Sequence, residues 1–92
     1  MKKIVNVYSN RTDGVIFAAE DYSIAVQTLF GNNWISTKEE IVIDNEYTTL
    51  EEYFGEDVCD MMAFSWDIDN FNEFWEGDFW MEEVEYFDWK SL

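Results

Sequence analysis

Between Glu39 and Trp89 the chain carries eighteen acidic side chains and no lysine, arginine or histidine. This stretch constrains the fold more than any other feature. Like charges at i,i+4 on a helix, or opposite one another on paired strands, each cost tenths of a kcal/mol. A net charge far from zero also works against any compact state. Such a chain folds only if apolar burial outweighs the repulsion. The same stretch carries the means: residues 66–89, WDIDNFNEFWEGDFWMEEVEYFDW, interleave nine acids with nine aromatic rings. One large ring can bury roughly 150–250 Å². Disordered acidic tails lack aromatic and β-branched residues, whereas aromatics make up 20% of this chain. The expectation is a folded chain with rings inward and carboxylates outward.

The charge is unevenly placed. Residues 1–38 set Lys2, Lys3, Arg11 and Lys38 against Asp13, Glu20 and Asp21, and are nearly neutral. The formal net charge of −16 therefore comes from the second half. Such a field repels nucleic acid and anionic membrane and attracts basic partners. Direct nucleic-acid binding and membrane association are not expected. The 92 residues suit a single domain spanning 1–92. No long apolar run follows Lys2 and Lys3, so neither a signal peptide nor a membrane span is expected, and a cytoplasmic protein is. Cys59 is the one cysteine, and in its apolar setting it reads as an inert, buried thiol.

Strand-like alternation marks residues 4–8, and "NRTDG" at 10–14 is a turn before the β-branched run 15–19. Asp21 is placed to cap a helix running through Phe30 and stopping at Gly31. A third strand is expected within 34–43. Thr49 and Glu52 form a capping-box pattern, and Leu50, Tyr53, Phe54, Val58, Met61 and Met62 share a helical face. Gly55 either weakens that helix or splits it in two. Asn70 with Glu73 suggests another helix start, with Phe71, Phe74, Trp75 and Phe79 on one face and a stop at Gly77. Residues 79–87 read as a strand, although Trp80, Val84 and Phe87 also fit a helical period. The fold class expected is α+β: a small antiparallel sheet of three to four strands packed with two or three helices.

The inventory excludes much chemistry. Without histidine there is no His-based triad and no imidazole base or metal ligand. The sequence has no phosphate-cradling glycine loop, and the five scattered bases form no basic patch. Glycosidases need only two carboxylates, but a pair drawn from twenty-one acids is no signal. "DIDNFNE" at 67–73 resembles the start of a calcium loop, yet Phe71, Asn72 and Asp78 fall where that loop wants an oxygen ligand, glycine and glutamate. No enzyme, cofactor or metal site is expected.

A merely solvated surface explains an ordinary acidic excess, not a base-free run of this length. The functional reading is that the carboxylates stand in for phosphates. Helix neighbours at i,i+3 and i,i+4 lie about 5–6 Å apart, and strand neighbours at i,i+2 lie about 6.6–6.8 Å apart. Both spacings can track a row of phosphate-binding side chains. The candidates are Glu51, Glu52, Glu56, Asp57 and Asp60 on the second helix, and Asp67, Asp69, Glu73, Glu76 and Asp78 on the third. Glu83 and Glu85 lie on the last strand, with Glu82 and Asp88 on its other face. The rings Phe71, Phe74, Trp75, Phe79, Trp80 and Phe87 are expected to hold that pattern rigid. One or two exposed rings could instead anchor a partner or mimic stacked bases.

In length, composition and the acidic stretch 39–89, with its "EEYFGEDVCDMM" and "DIDNFNEFWEGDFWMEEVEYFD", the chain resembles the DNA-mimic inhibitors of phages and mobile elements, the anti-CRISPR and anti-restriction proteins. Those proteins share no common motif, so no family residues carry over. The resemblance implies an inhibitor in the nucleic-acid channel of a host defence nuclease, with a CRISPR effector or a restriction nuclease as the basic partner. A homodimer is compatible with this. An immunity protein or antitoxin against a basic nuclease toxin is the rival reading. An acidic interaction module unconnected with nucleic acid is a third.

Overall fold

The computed structural model describes residues 2–86, with side chains from 3 to 85. The chain runs β1 (Lys2–Ser9), β2 (Val15–Ala19), α1 (Tyr22–Gly31), β3 (Glu40–Ile43), β4 (Glu46–Thr49), α2 (Leu50–Phe54), α3 (Val58–Ser65), α4 (Ile68–Phe74) and β5 (Phe79–Tyr86). The fold is α+β. One antiparallel sheet has the order β2-β1-β5, and β3 with β4 forms a separate two-stranded ribbon. The sheet thus has three strands, and the described residues hold four helices rather than two or three.

Alternation places β1. Val5, Val7 and Ser9 are buried, while Ile4, Asn6 and Tyr8 lie half-buried on the opposite face. As the central strand β1 pairs along its whole length with β5 and over Val5–Tyr8 with β2. Lys2, Lys3 and Ile4 pair only with β5, so the sheet tapers to a two-stranded end. Gly14, at φ +88°, supplies the left-handed residue that the Asp13-Gly14 turn requires.

The three helices with a side-chain cap begin as the cap chemistry dictates, with one exception. Asp21 caps α1, its carboxylate accepting the Ile24 N–H at 2.9 Å and the Ser23 hydroxyl at 2.8 Å. Thr49 caps α2 by accepting the Glu52 N–H at 3.1 Å, but the Glu52 carboxylate turns to the Thr48 hydroxyl, at 3.5 Å. Gly55, at φ +101°, does split the apolar run, and α3 restarts after it. The exception is α4, which Asp67 caps in place of Asn70. The Asp67 carboxylate accepts the Asn70 N–H at 2.9 Å, and the Asn70 amide oxygen accepts the Asp67 N–H at 3.4 Å. This reciprocal pair satisfies two helix-end donors at once, which a start at Asn70 would not. α4 also ends earlier than expected, at Phe74, and Gly77 (φ +87°) lies in the turn to β5.

The ambiguous segment 79–86 is a strand. Phe79 and Met81 point to the core and pairing with β1 is continuous, so the ladder wins over the helical period. Trp80 accordingly faces away from the core, against Tyr8, and is 47% exposed. It is not one of the core rings expected. Phe71, Trp75 and Phe79 are buried and Phe74 is half-buried. Phe87 and Asp88 lie outside the described residues.

The core lies between the inner face of the sheet and the helices. α1 packs against β1 and β2, α4 against β5, and α3 against α1. Leu29, Leu50, Met62, Met81 and Phe71 are its largest fully buried side chains. A ring cluster extends it: Phe54, Trp66 and Phe74 meet edge-to-face at 5.3–5.7 Å, and Trp75 joins at 4.9 Å from Phe74. Such pairs contribute about 0.5–1.5 kcal/mol beyond their buried area. Among the described residues no helix is long and apolar enough to cross a membrane.

Candidate partner-binding surface

The twelve candidate acids are placed by several short elements rather than by two long ones. Glu51 and Glu52 sit in the first turn of α2, Asp60 in the first turn of α3 and Asp69 in that of α4. An acid there meets the positive end of the helix dipole, which offsets part of the mutual repulsion by about 0.3–1 kcal/mol each. Breaking one helix into short pieces multiplies such positions. Glu56 lies in the connection at Gly55, Asp57 precedes α3 without a side-chain cap bond, and Asp67 caps α4. Glu76 and Asp78 belong to the turn before β5, so helical i,i+4 spacing within this group holds for Asp69 and Glu73 alone. Eleven of the twelve are exposed and Glu51 is half-buried.

Glu83 and Glu85 share the face of Phe79 and Met81, at the tapered end of the sheet, while Glu82 faces the other way. Lys3 lies 3.7 Å from Glu83, the one ion pair among the described residues. Half-exposed and long, it contributes little. The other eleven candidates have no ion-pair partner among the described residues, although Lys38 shares a shallow depression with Glu51, Glu52 and Glu56.

Two of the candidates, Glu73 and Asp78, converge on a groove that the sequence did not reveal. It lies between β3 and α4 and encloses about 660 Å³, within the range of ligand sites. Its apolar lining includes Ile41 and Ile43 of β3 and the rings Trp66, Phe74 and Trp75. Its polar groups are Asp44, Asn70, Glu73 and Asp78. Among the described residues no basic one lines it. The side chain of Trp75 is buried, and its indole Nε1–H has no acceptor among the described residues. Buried polar groups without partners are few in proteins.

The wall on the β3 side exists because of a turn. Asp44 and Asn45 both have positive φ, 53° and 68°, and link the directly paired Ile43 and Glu46. This is the two-residue hairpin turn whose twist suits antiparallel strands, and Asp and Asn tolerate it better than other non-glycine residues. Asp44 is further fixed by the Tyr53 hydroxyl, which donates to its carboxylate at 3.1 Å and is thereby held above the usual tyrosine range. The Asp-Asn pair between two β-branched runs was the available signal for this hairpin, and hence for Asp44.

Elsewhere the surface offers less. A smaller cavity of about 150 Å³ beside the groove is lined by Arg11, Glu39, Asp78 and Trp34, among others. The outer face of the sheet exposes Trp80 and Val15, and the β3–β4 ribbon exposes Val42 and Tyr47. Cys59 is half-buried, and burial first, then the charge of Asp60, raises its thiol above the ordinary range. That disfavours the reactive thiolate. Asp67 and Asp69, suggestive of a calcium loop in sequence, serve as a cap and a first-turn acid of α4. Among the described residues no group of three or more acidic or thiol side chains could hold a metal ion.

Comparisons with protein-family models, curated proteins and solved structures find no match to this chain.

Proposed function

We propose that this protein is an inhibitor that occupies the nucleic-acid-binding groove of a basic protein, its carboxylates taking the places of phosphates. The observation that carries the reading is the display of eleven acids that have no ion-pair partner among the described residues, on an aromatic-packed body. A groove built for duplex DNA presents lysines and arginines to one charge per about 1.7 Å of axis. Over the 52 Å long dimension of this molecule, a duplex would carry on the order of thirty phosphates. A net charge of −16 is about half of that, enough to compete if the acids are held still. The resemblance to phage and mobile-element inhibitors makes a host defence nuclease the favoured target, a CRISPR effector before a restriction enzyme. The protein itself acts as a ligand, not a catalyst.

The test is capture of the partner from host lysate followed by competition. A nuclease displaced from the inhibitor by short duplex DNA, with affinity falling steeply from low to high salt, is the expected result. A partner that binds equally well with DNA in place would instead be recognised at an exosite, as an immunity protein recognises its toxin. A flat salt response would remove the electrostatic basis of the proposal.

A further inference from the structure

The geometry points to the β3–α4 groove as a receptor for an arginine side chain of the partner. This rests on the reading of the protein as a ligand for a basic protein, and it names the contact. An acidic surface alone selects no particular cation. The groove adds shape and chemistry: half-buried Trp66 and Phe74 form an aromatic wall, and Asp44 and Glu73 stand at the same groove with no base among its lining residues. Asp78 also lines it, but shares the adjacent cavity with Arg11, so Asp44 and Glu73 are the stronger attractors.

That combination fits guanidinium better than ammonium. Guanidinium is planar and weakly hydrated, stacks on aromatic faces, and donates in a fork that matches a carboxylate. An arginine over an aromatic ring is attracted by the ring's quadrupole, more strongly the further water is excluded. Its alkyl stem would lie along Ile41 and Ile43, as long cationic side chains do on apolar surface. Aromatic and arginine contacts at the centre of a charged interface are also where binding energy concentrates.

The test needs no knowledge of the partner. The intact protein, labelled with ¹⁵N, is titrated with N-acetyl-arginine amide while the tryptophan indole N–H resonances are followed. Saturable shifts at Trp66 and Trp75, with Trp80 unmoved, are expected. Trp80 is the internal reference because it lies on the opposite face of β5. Trp66 packs in the ring cluster and its removal risks misfolding, so the variant is Glu73→Gln at an exposed position. It should raise the half-saturation concentration roughly three-fold, the scale of one partly screened ion pair. An equal response to N-acetyl-citrulline amide or N-acetyl-lysine amide would overturn the assignment. So would shifts that include Trp80 to the same extent, or no shift at all. The two proposals fail separately. A DNA-displaced partner with a silent titration leaves the mimic and removes the groove, whereas a positive titration with no DNA-binding partner does the reverse.

Discussion

Asn72 bonds both backbone polar groups of Met81: its Nδ2 donates to the Met81 carbonyl at 2.8 Å, and its Oδ1 accepts the Met81 N–H at 2.7 Å. β5 is an edge strand of the sheet, and an edge offers unpaired groups to any passing strand. The side-chain amide of α4 acts as one residue of a missing neighbour. It also fixes the distance between α4, which carries Glu73, and β5, which carries Glu83 and Glu85. Replacing Asn72 with Ala leaves a partly buried N–H and C=O without partners, which should cost about 2 kcal/mol. Urea unfolding followed by tryptophan fluorescence should show a lower midpoint with an unchanged slope. A midpoint equal to that of the wild type would mean that water replaces the amide without loss.

Tyr22 is expected to make stability fall at alkaline pH. Its hydroxyl donates to the Met62 carbonyl at 2.6 Å, tying α1 to α3. Burial, and secondarily the charge of Asp67, raises its pKa above the ordinary value of 10.0. The folded state therefore holds the phenolic proton more tightly than the unfolded chain does. The resulting stabilisation is complete below about pH 10 and is lost as the pH rises through the raised folded value. Tyr22→Phe should cost about 1 kcal/mol at neutral pH through the lost hydrogen bond. It should also flatten the decline in stability above pH 10. Tyr53 shifts in the same direction through its bond to Asp44, but it is solvent-exposed, so Tyr53→Phe should leave most of that decline in place. Chemical denaturation at pH 8 and pH 10.5 of the three proteins separates the two residues.

Much of the scaffold was legible from local chemistry. The Asp13-Gly14 turn, the Asp21 and Thr49 caps and the break at Gly55 each rest on a residue whose backbone or side chain permits little else. What escaped depended on partners distant in sequence. Asp67 and Asn70 are both good capping residues, and only the reciprocal bond between them decides which begins α4. Trp80 fits a helical period with Val84, but the β1 ladder turns it outward. The groove was hidden for the same reason. Its walls, Ile41 with Ile43 and Trp66 with Phe74, are joined only when the β3–β4 ribbon packs beside α4. The acids were easy to nominate because nearly all are exposed, but composition could not show that Glu73 and Asp78 line the same groove as Asp44 while Glu83 pairs with Lys3.

The response of the free protein to salt follows from the imbalance between these charges. Lys3–Glu83 is the one ion pair among the described residues, at 3.7 Å and about half-exposed, so screening it sacrifices little. Screening the repulsion among eighteen acids with no intervening base gains more, because the compact state holds those charges closer together than the unfolded chain does. Raising ionic strength from about 0.01 M to 1 M shortens the screening length from roughly 30 Å to 3 Å. If that recovers about 1 kcal/mol, the melting temperature of a domain this size rises by about 4–8 °C. Sodium chloride is the salt to use, since sulfate strengthens apolar burial by itself. Calorimetry across the chloride series should show a monotonic rise that levels off as the screening length falls below the distance between neighbouring carboxylates. A constant or falling melting temperature would show that the helix dipoles and the spacing of the acids already cancel the repulsion. The steep salt dependence expected of partner binding would then have to come from the partner's own charges.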